Sequence, residues 1–330
     1  MSYTLAAWGA FLRPAFDEVL AEAGIAVVPV DGKDSPVDIA PNCDALYVRL
    51  PQYASEEIIG ALPNLKVMAV PGAGVEVIDL DGATKHGVPV MCGRGMGHEA
   101  VADWTLASML WLTRRVGEMH SSLATGDWPK RFDIQPRRDV HKLSIGIIGY
   151  GAIGARVAAI LATGFGSDVL IYDTADGARS AAESAGYRVV DLDTLLRESD
   201  IVSIHAQAKH GEPPMIGERE LGLMKPTATL VNTARGALLD YPSITAALEN
   251  GKLAGAALDV FDQEPPRQDL IDKLTSFDNV LVSPHQAGMT IDATDSLAYG
   301  VASSIVEVLN GGRPSNCANP EVWAGSEVTA

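Results

Sequence analysis

The amino-acid sequence predicts an α/β fold with two domains, each built on a parallel sheet. The chain has 330 residues, of which 47% are apolar, so it is longer than one typical domain and can bury a large core. Short β-like runs alternate along it with helix-like segments. Such alternation is typical of parallel strands joined by helices, and the strands here fall into two series.

The first series of strands begins close to the N-terminus. Its β-like runs cover residues 4–8, 25–30, 45–50 and 65–70, with helices predicted at residues 14–23 and 55–62. A fifth run, residues 88–92, leads through a Gly-rich joint to residues 99–119, which predict one long helix. Glycines ahead of a long helix favour a hinge at this point.

The second series opens at residues 143–148 and ends near Pro284. The last stretch, residues 291–309, predicts another long helix with enough length to return to the first series. We therefore expect one domain to comprise residues 1–96 with 290–330, and the other residues 97–289.

Charge and composition exclude several classes of protein. The formal net charge of −17 lacks the basic footprint that nucleic acids and anionic membranes require. Cys43, Cys92 and Cys317 form no CxxC pair, which is typical of reduced cytosolic thiols and argues against zinc. The start of the chain has no basic segment, and no apolar stretch reaches the roughly 20 residues of a membrane span. We expect a cytoplasmic protein with no metal, no nucleic-acid partner and no membrane partner.

A glycine motif lies between the apolar run 143–148 and the helix-like residues 155–162. Its residues are Gly149, Tyr150, Gly151, Ala152, Ile153 and Gly154. In a strand–turn–helix context, the first glycine allows the tight turn, the second admits a pyrophosphate, and the third lets the helix pack on the strand. The phosphates would face free N–H groups at the helix N-terminus. The motif therefore predicts a dinucleotide-binding, Rossmann-like domain.

Asp173 stands at the position that contacts the cofactor ribose in such a domain. Asp173 ends the β-like run 169–173, about 20 residues beyond the glycines, where its carboxylate can accept from ribose hydroxyls. Thr174 and Ala175 offer no cation for a 2′-phosphate, which favours NAD over NADP. Arg179 is the residue that would change this preference, and a solvated acid at a strand end is the alternative interpretation of Asp173.

Three further polar residues each follow a β-like run. Arg235, Glu264 and His285 stand at what we expect to be the carboxyl edge of the sheet, where doubly wound folds bind ligands. Taken singly, the arginine is typical of a surface ion pair and the glutamate of a loop acid. Their convergence at one edge favours a catalytic site.

The chemistry that such a set supports is reduction of a 2-keto acid. A guanidinium can bind a carboxylate in bidentate fashion and stabilise charge on the carbonyl oxygen. An imidazole can exchange a proton near neutral pH, and a neighbouring carboxylate can orient its ring. A nicotinamide cofactor would supply the hydride.

With these motifs in place, the chain closely resembles the D-isomer-specific 2-hydroxyacid dehydrogenases, the family that contains glyoxylate and hydroxypyruvate reductases and phosphoglycerate dehydrogenase. The resemblance covers nearly the whole chain, and its most specific stretches are residues 149–154, 230–264 and 284–288. It implies two Rossmann-like or flavodoxin-like domains with parallel sheets, an active site in the cleft between them, and a homodimer. The domain 1–96 with 290–330 would be the substrate (catalytic) domain, and 97–289 the NAD-binding domain.

The resemblance also implies roles for individual residues. Arg235, Glu264 and His285 match the catalytic trio, with Arg235 and His285 contacting substrate. Asp259 matches the acid that contacts the nicotinamide carboxamide. The remaining implied cofactor contacts are Thr233, Ala234 and Gly288. The implied substrate contacts elsewhere are Arg49 and the backbone N–H groups of Ala73 and Gly74.

Some positions depart from the family pattern. Cys92 and Arg94 stand where the family commonly has Asn and Pro, and Glu76 replaces the usual Asp of the substrate loop. Residues 206–209, Ala-Gln-Ala-Lys, lack the proline that usually follows among apolar residues. These departures affect the expected substrate and adenine pockets and leave the trio intact.

The sequence thus predicts an NAD-dependent oxidoreductase that interconverts a small 2-keto acid, of the glyoxylate or hydroxypyruvate kind, and its D-2-hydroxy acid. A formate dehydrogenase-like enzyme is one alternative, although Glu264 beside a catalytic-type histidine argues against it. An NAD(H)-gated, corepressor-like interaction protein is the other. The substrate side chain and the direction of the reaction stay open, and the stereochemistry rests on the resemblance.

Overall fold

The computed structural model describes residues 3–9, 13–128, 137–208 and 211–324. The chain forms two compact units: unit 1 is Met1–Gly97 with Thr290–Ala330, and unit 2 is His98–Met289. Lys209, one of the departures from the family pattern, lies outside the described residues.

Unit 1 contains a five-stranded parallel sheet with the strand order β2-β1-β3-β4-β5. The strands are β1 (Thr4–Trp8), β2 (Ala26–Val30), β3 (Ala45–Val48), β4 (Val67–Ala69) and β5 (Val90–Met91). The helices are α1 (Pro14–Glu22), α2 (Pro36–Ile39), α3 (Glu56–Gly60), α4 (Leu80–Lys85) and α13 (Ile291–Leu309). Strands β1, β3, β4 and β5 are almost wholly buried, because helices cover both faces of a parallel sheet, whereas the edge strand β2 is largely exposed or half-buried.

Local sequence signals explain where these helices begin. Pro14 opens α1, where its missing N–H costs nothing. Asp79 accepts a hydrogen bond from the Gly82 N–H at 2.9 Å and caps α4. Thr290 caps α13 through the Ala293 N–H at 3.1 Å. The helix predicted over residues 291–309 is confirmed to the residue.

Unit 2 contains a seven-stranded parallel sheet with the order β12-β11-β10-β9-β6-β7-β8. The strands are β6 (Ser144–Ile148), β7 (Asp168–Tyr172), β8 (Arg188–Val189), β9 (Ile201–Ile204), β10 (Thr229–Asn232), β11 (Gly255–Leu258) and β12 (Val280–Val282). The helices are α5 (His98–Arg114), α6 (Val116–Ala124), α7 (Ala152–Ile160), α8 (Asp176–Ser184), α9 (Leu192–Glu198), α10 (Glu218–Leu221), α11 (Tyr241–Glu249) and α12 (Gln268–Thr275).

The order of the strands in unit 2 defines a ligand-binding edge. Beyond β6 the chain runs outward to β7 and β8, then returns to place β9 on the other side of β6. Ligands of doubly wound sheets bind at the carboxyl ends of the strands beside this switch point. The predicted fold class, two parallel α/β sheets of the Rossmann-like kind, is confirmed.

The single helix predicted over residues 99–119 is wrong. The structure divides it into α5 and α6 at Arg115, whose φ of 51° is left-handed. Gly117 lies against the Trp111 ring so closely that a Cβ would stand 2.2 Å from a ring carbon. This close contact accompanies the change of direction, and a pattern of helix-forming residues cannot reveal it.

Across the described ranges, none of the helices combines the length with the apolar character needed to cross a bilayer.

Candidate active site

The glycine turn after β6 is built on backbone contacts that exclude side chains. Gly149 has a φ of 95°, and a Cβ there would stand 2.7 Å from the carbonyl carbon of His205, across the switch point. A Cβ on Gly154 would stand 2.0 Å from the carbonyl oxygen of Gly149. Real contacts of a Cβ are never that short, so both positions require glycine.

The middle glycine has the opposite surroundings. Gly151 is the N-cap of α7, no side chain caps this helix, and a Cβ on Gly151 would meet nothing within 4 Å. The start of α7 therefore presents uncapped N–H groups beside open space. Tyr150, Ala152 and Ile153 complete the turn. A pyrophosphate fits this arrangement because the helix terminus offers donors and a positive dipole end.

Asp173 lies at the end of β7, beside the glycine turn. Its two oxygens accept from the Tyr150 N–H at 2.7 Å and from the Ala175 N–H at 2.8 Å. A carboxylate has about four acceptor sites, so capacity for ribose hydroxyls remains. Arg179, the cation that would favour a 2′-phosphate, is bound by the Asp176 carboxylate and by the Thr174 carbonyl at 3.1 Å.

The predicted catalytic trio follows three adjacent strands. Arg235 comes after β10, Glu264 after β11 and His285 after β12. His285 Nδ1 lies 2.7 Å from Glu264 Oε2, and the other carboxylate oxygen, Oε1, accepts from the Phe261 N–H at 3.0 Å. The glutamate is thus fixed by the backbone on one side and holds the imidazole on the other.

The loop that carries His285 is shaped by the buried carboxylate of Asp259, which is 1% exposed. This carboxylate accepts from the Ser283 hydroxyl, from the Gln286 N–H at 2.8 Å and from the Ala287 N–H at 2.9 Å. The Asp259 carbonyl accepts from the His285 N–H at 2.7 Å. His285 itself has a left-handed φ of 53°. We infer that Asp259 stabilises this conformation.

A second buried polar side chain shapes the turn of Arg235. Asn232, which is fully buried, donates from Nδ2 to the Arg235 carbonyl at 2.9 Å and accepts from the Ala234 N–H at 3.0 Å. Arg235 donates from Nη1 to the Ala234 carbonyl at 2.8 Å. Thr233 lies inside this turn, 3.4 Å from Thr105 between hydroxyl oxygens.

Gly236 joins the arginine turn to the glutamate loop. A Cβ at Gly236 would stand 1.8 Å from the carbonyl carbon of Phe261, whose N–H contacts Glu264. Residue-by-residue sequence reasoning missed both Gly236 and Asn232 as site residues. The signal available was their place in the stretch 230–264, directly beside Arg235.

His205 is a further residue whose place the sequence did not reveal. It lies at the end of β9 against Gly149, and its Nε2 is 2.9 Å from the hydroxyl of the fully buried Ser203. Its Nδ1 is buried and has no hydrogen-bond partner among the residues that the structure describes. Burial lowers the pKa of His205 to about 4, because the charged ring would lose its water.

The predicted site residues divide between the two units. Unit 2 places the glycine turn, Asp173, the trio with Asp259, and the turn with Thr233 and Ala234 after strands of one parallel sheet, and Gly288 follows the His285 loop. Unit 1 holds Arg49, directly after β3, and Ala73 with Gly74, in the loop after β4. Among the described residues, no cluster of three or more His, Cys, Asp or Glu side chains is arranged to hold a metal.

Comparison with known proteins identifies the family. The model of a family described as "D-isomer specific 2-hydroxyacid dehydrogenase, NAD binding domain" matches residues 106–287. A glyoxylate reductase from Thermofilum pendens is 38% identical over 283 residues, which cover 84% of this chain and 82% of that relative. A D-3-phosphoglycerate dehydrogenase from Synechocystis sp. is 34% identical over 275 residues, 83% of this chain and 48% of the relative.

The solved structures agree with this assignment. D-lactate dehydrogenase from Aquifex aeolicus, complexed with NAD and lactic acid, superimposes with a TM-score of 0.80 at 27% identity, and 99% of each chain is covered. The chain belongs to the D-isomer-specific 2-hydroxyacid dehydrogenase family. It is an NAD-dependent 2-hydroxyacid dehydrogenase, and the predictions of family, enzyme class and cofactor are confirmed.

Replacing Gly154 by alanine tests the cofactor turn. The new Cβ would collide with the Gly149 carbonyl and push α7 from β6, so we expect a loss of about 1–3 kcal/mol in stability and at least tenfold weaker NADH binding. NADH fluorescence titration and urea unfolding measure both quantities. Gly177→Ala in α8 is the matched control, because its Cβ would meet nothing within 4 Å. Equal behaviour of the two variants would contradict the close-packed turn.

Asp259→Asn tests whether the hydrogen bonds to the Asp259 carboxylate fix the His285 loop. The amide would offer donors where two backbone N–H groups already donate, so the loop loses its left-handed conformation and kcat/KM falls at least tenfold. Steady-state kinetics and a structure of the variant measure this effect. Asp262→Asn, at an exposed position three residues further on, is the control. If the His285 loop keeps its conformation in the variant, the proposed role of Asp259 in fixing this loop is wrong.

His205→Gln tests the buried imidazole through the pH dependence of stability. The pKa of His205 is about 4 when folded and about 6.5 when unfolded. As pH falls from 6.5 to 4, the imidazole therefore binds a proton in the unfolded chain but not in the folded chain. The free energy of unfolding consequently drops by about 3 kcal/mol. The variant lacks this component, so its stability relative to wild type should improve towards low pH in urea unfolding. A pH-independent difference would contradict the assignment.

Proposed function

We propose that this dehydrogenase reduces a small 2-keto acid, of the glyoxylate or hydroxypyruvate kind, to its D-2-hydroxy acid with NADH. In this proposal His285 and Glu264 form the acid–base pair and Arg235 binds the substrate carboxylate. The observation that carries it is the 2.7 Å contact between His285 Nδ1 and Glu264 Oε2, on loops that follow strands adjacent to that of Arg235.

The geometry of the pair determines which nitrogen moves the proton. When Nδ1–H donates to the Glu264 carboxylate, the imidazole must exchange its proton through Nε2. Nε2 has no hydrogen-bond partner within the described residues. In the reducing direction His285 donates the Nε2 proton to the carbonyl oxygen of the substrate, and in the oxidising direction it takes the hydroxyl proton.

The Arg235 side chain supplies the electrostatic part of the reaction. Its guanidinium would bind the carboxylate of the keto acid and face the carbonyl oxygen, where negative charge develops as hydride arrives. The Asn232 side chain and the close packing of Gly236 fix the backbone on both sides of this arginine. A fixed donor costs no reorganisation during the reaction.

NAD, when bound, supplies or accepts the hydride. The residues that would hold it are Gly149–Gly154 for the pyrophosphate and Asp173 for the ribose, with Thr233, Ala234, Asp259 and Gly288 on the nicotinamide side. The uncapped start of α7 and the open space at Gly151 support the first assignment. The others rest on the family resemblance and on their place after β7, β10, β11 and β12.

The proposal includes residues of unit 1. Arg49 would contact the substrate, and the N–H groups of Ala73 and Gly74 would bind its carboxylate. Their place at the carboxyl ends of β3 and β4 supports these roles, as does the family resemblance. Substrate size is inferred from relatives that are named glyoxylate reductase.

We propose further that the enzyme is a cytoplasmic homodimer. Four apolar side chains of the α5–α6 region are exposed: Leu110, Val116, Leu123 and Trp128. A second copy of this chain would cover them. Light scattering should give twice the 34.8 kDa mass of one chain, and a monomer would refute this part of the proposal.

Arg235 provides the test of the reaction. With glyoxylate, hydroxypyruvate and pyruvate as substrates, we expect wild-type protein to oxidise NADH at 340 nm with at least one of them. Arg235→Ala should lower kcat/KM by 100-fold or more, because a charge-assisted contact made in the transition state is lost. Arg235→Lys should retain a part of the activity, since it keeps the charge without the bidentate geometry.

The matched control is Arg267→Ala, which removes an exposed arginine whose partner is Asp269. It should leave the kinetics unchanged. If Arg235→Ala turns over every tested acid as wild type does, the proposed role of Arg235 is wrong.

A further inference from the structure

One peptide unit connects the glutamate of the candidate site to a buried tyrosine. Phe261 donates from its N–H to Glu264 Oε1 at 3.0 Å. The carbonyl of the same peptide belongs to Val260, and it accepts from the Tyr241 hydroxyl. In a planar trans peptide, the C=O and N–H groups point in opposite directions and turn together. The Tyr241 hydroxyl therefore holds one end of a rigid group whose other end holds the carboxylate.

The hydrogen bonds continue from the carboxylate to the imidazole. The second oxygen of Glu264, Oε2, lies 2.7 Å from His285 Nδ1. The complete series runs from the tyrosine hydroxyl through the peptide and the carboxylate to the imidazole. A donor on a peptide carbonyl polarises the peptide and strengthens the hydrogen bond that its N–H makes. A change at the Tyr241 hydroxyl can therefore reach His285 through this series.

The tyrosine is held in place by its surroundings. Tyr241 is the first residue of α11 and is buried. Its ring stacks on the Phe261 ring, with centroids 5.8 Å apart and an interplanar angle of 25°. Gly236, earlier in the same segment, packs so closely that a Cβ would stand 1.8 Å from the Phe261 carbonyl carbon. The residues that follow Arg235 therefore hold Phe261 at both its ring and its backbone.

The phenol stays protonated, as a hydrogen-bond donor must. Burial raises the pKa of Tyr241, and the carboxylates of Asp262 and Glu264 raise it further because they oppose another negative charge nearby. A hydroxyl has one proton to donate, and here the Val260 carbonyl accepts it. This hydrogen bond consequently keeps its direction across the pH range in which an imidazole exchanges its proton.

We propose that Tyr241 is a positioning residue for the acid–base pair: its hydroxyl, acting through the Val260–Phe261 peptide, orients the Glu264 carboxylate towards His285. Without the hydroxyl, the peptide can rotate, the Phe261 N–H leaves the carboxylate, and Glu264 no longer holds the imidazole ring. This inference rests on the proposed reduction of 2-keto acids and adds to it a buried residue that acts through the glutamate.

Tyr241→Phe tests the proposal, because it removes the hydroxyl and keeps the ring that stacks on Phe261. We expect kcat to fall about tenfold while KM changes by less than about twofold, since the substrate contacts are unchanged and one hydrogen bond supports an effect of this size. Steady-state NADH oxidation with the 2-keto acid that the wild type reduces best measures both constants. The solvent deuterium isotope effect on kcat should rise, because proton transfer then limits turnover.

Tyr3→Phe is the matched control for lost stability. The Tyr3 hydroxyl also donates to a backbone carbonyl, that of Leu309 in unit 1, at 2.9 Å. The control should be less stable in urea unfolding, as Tyr241→Phe should be, and should keep the wild-type kcat. If kcat falls equally in both variants, the effect comes from lost stability and the proposal is overturned.

A double variant tests whether Tyr241 acts through the glutamate. In Glu264→Ala no carboxylate remains to be oriented, so adding Tyr241→Phe should slow single-turnover hydride transfer by less than about twofold. If the two losses multiply instead, Tyr241 acts by another route and the proposal is wrong.

Nitrogen NMR of enzyme with isotope-labelled histidine separates this proposal from the proposed reaction, because it needs no turnover. The Nδ1 resonance of His285, assigned by its loss in His285→Asn, reports the hydrogen bond to Glu264. Tyr241→Phe should shift this resonance, and Tyr3→Phe should leave it in place. If it shifts but even the wild type reduces no 2-keto acid, the positioning role stands and the reaction is refuted. If Tyr241→Phe leaves the resonance unchanged, the positioning role is refuted, whatever the turnover.

Discussion

The buried carboxylate of Asp259 is the interaction on which the candidate site depends most. A charge that is 1% exposed must be fully hydrogen-bonded, and its partners are the Ser283 hydroxyl and two N–H groups of the loop after β12. The hydrogen bonds to this carboxylate fix the loop, and we infer that the fixed loop holds His285 in its left-handed backbone conformation. The 2.7 Å contact with Glu264 follows from that placement. The hydrogen bonds that a buried carboxylate requires thus determine the geometry of the proposed acid–base pair.

Close backbone contacts connect the other parts of the unit 2 edge. Gly149 meets the end of β9, Gly154 meets Gly149, and Gly236 meets the loop that carries Glu264, each at a distance no Cβ tolerates. These glycines let loops from separate strands approach within van der Waals distance. Because the contacts are between backbones, the positions of the side chains above them depend little on rotamer choice. That rigidity is what proton transfer over less than 3 Å requires.

The alternation of strands and helices, together with the glycine motif, was sufficient to predict both parallel sheets, because each strand is one apolar run bounded by turns. The place of Arg235, Glu264 and His285 after adjacent strands could be predicted because parallel strands end at the same edge of a sheet. The break at Arg115 could not, since it depends on the contact of Gly117 with Trp111. Neither could the partners of Asp259, which lie in a loop distant in sequence, nor the buried local hydrogen bonds of Asn232 and His205. Periodicity contains no information on such contacts.

We propose that His285 and Glu264 act as one proton-transfer unit. The most direct test is a double-mutant cycle on NADH oxidation in single turnover, with hydroxypyruvate as substrate and with Glu264→Gln, His285→Asn and the double variant; asparagine tolerates the left-handed backbone of this position. We expect each single variant to slow the hydride step by at least 100-fold and the double variant to be little slower than either, because the effects of residues acting as a unit are not additive. Multiplicative losses, or a His285→Asn variant that reacts at the wild-type rate, would contradict it.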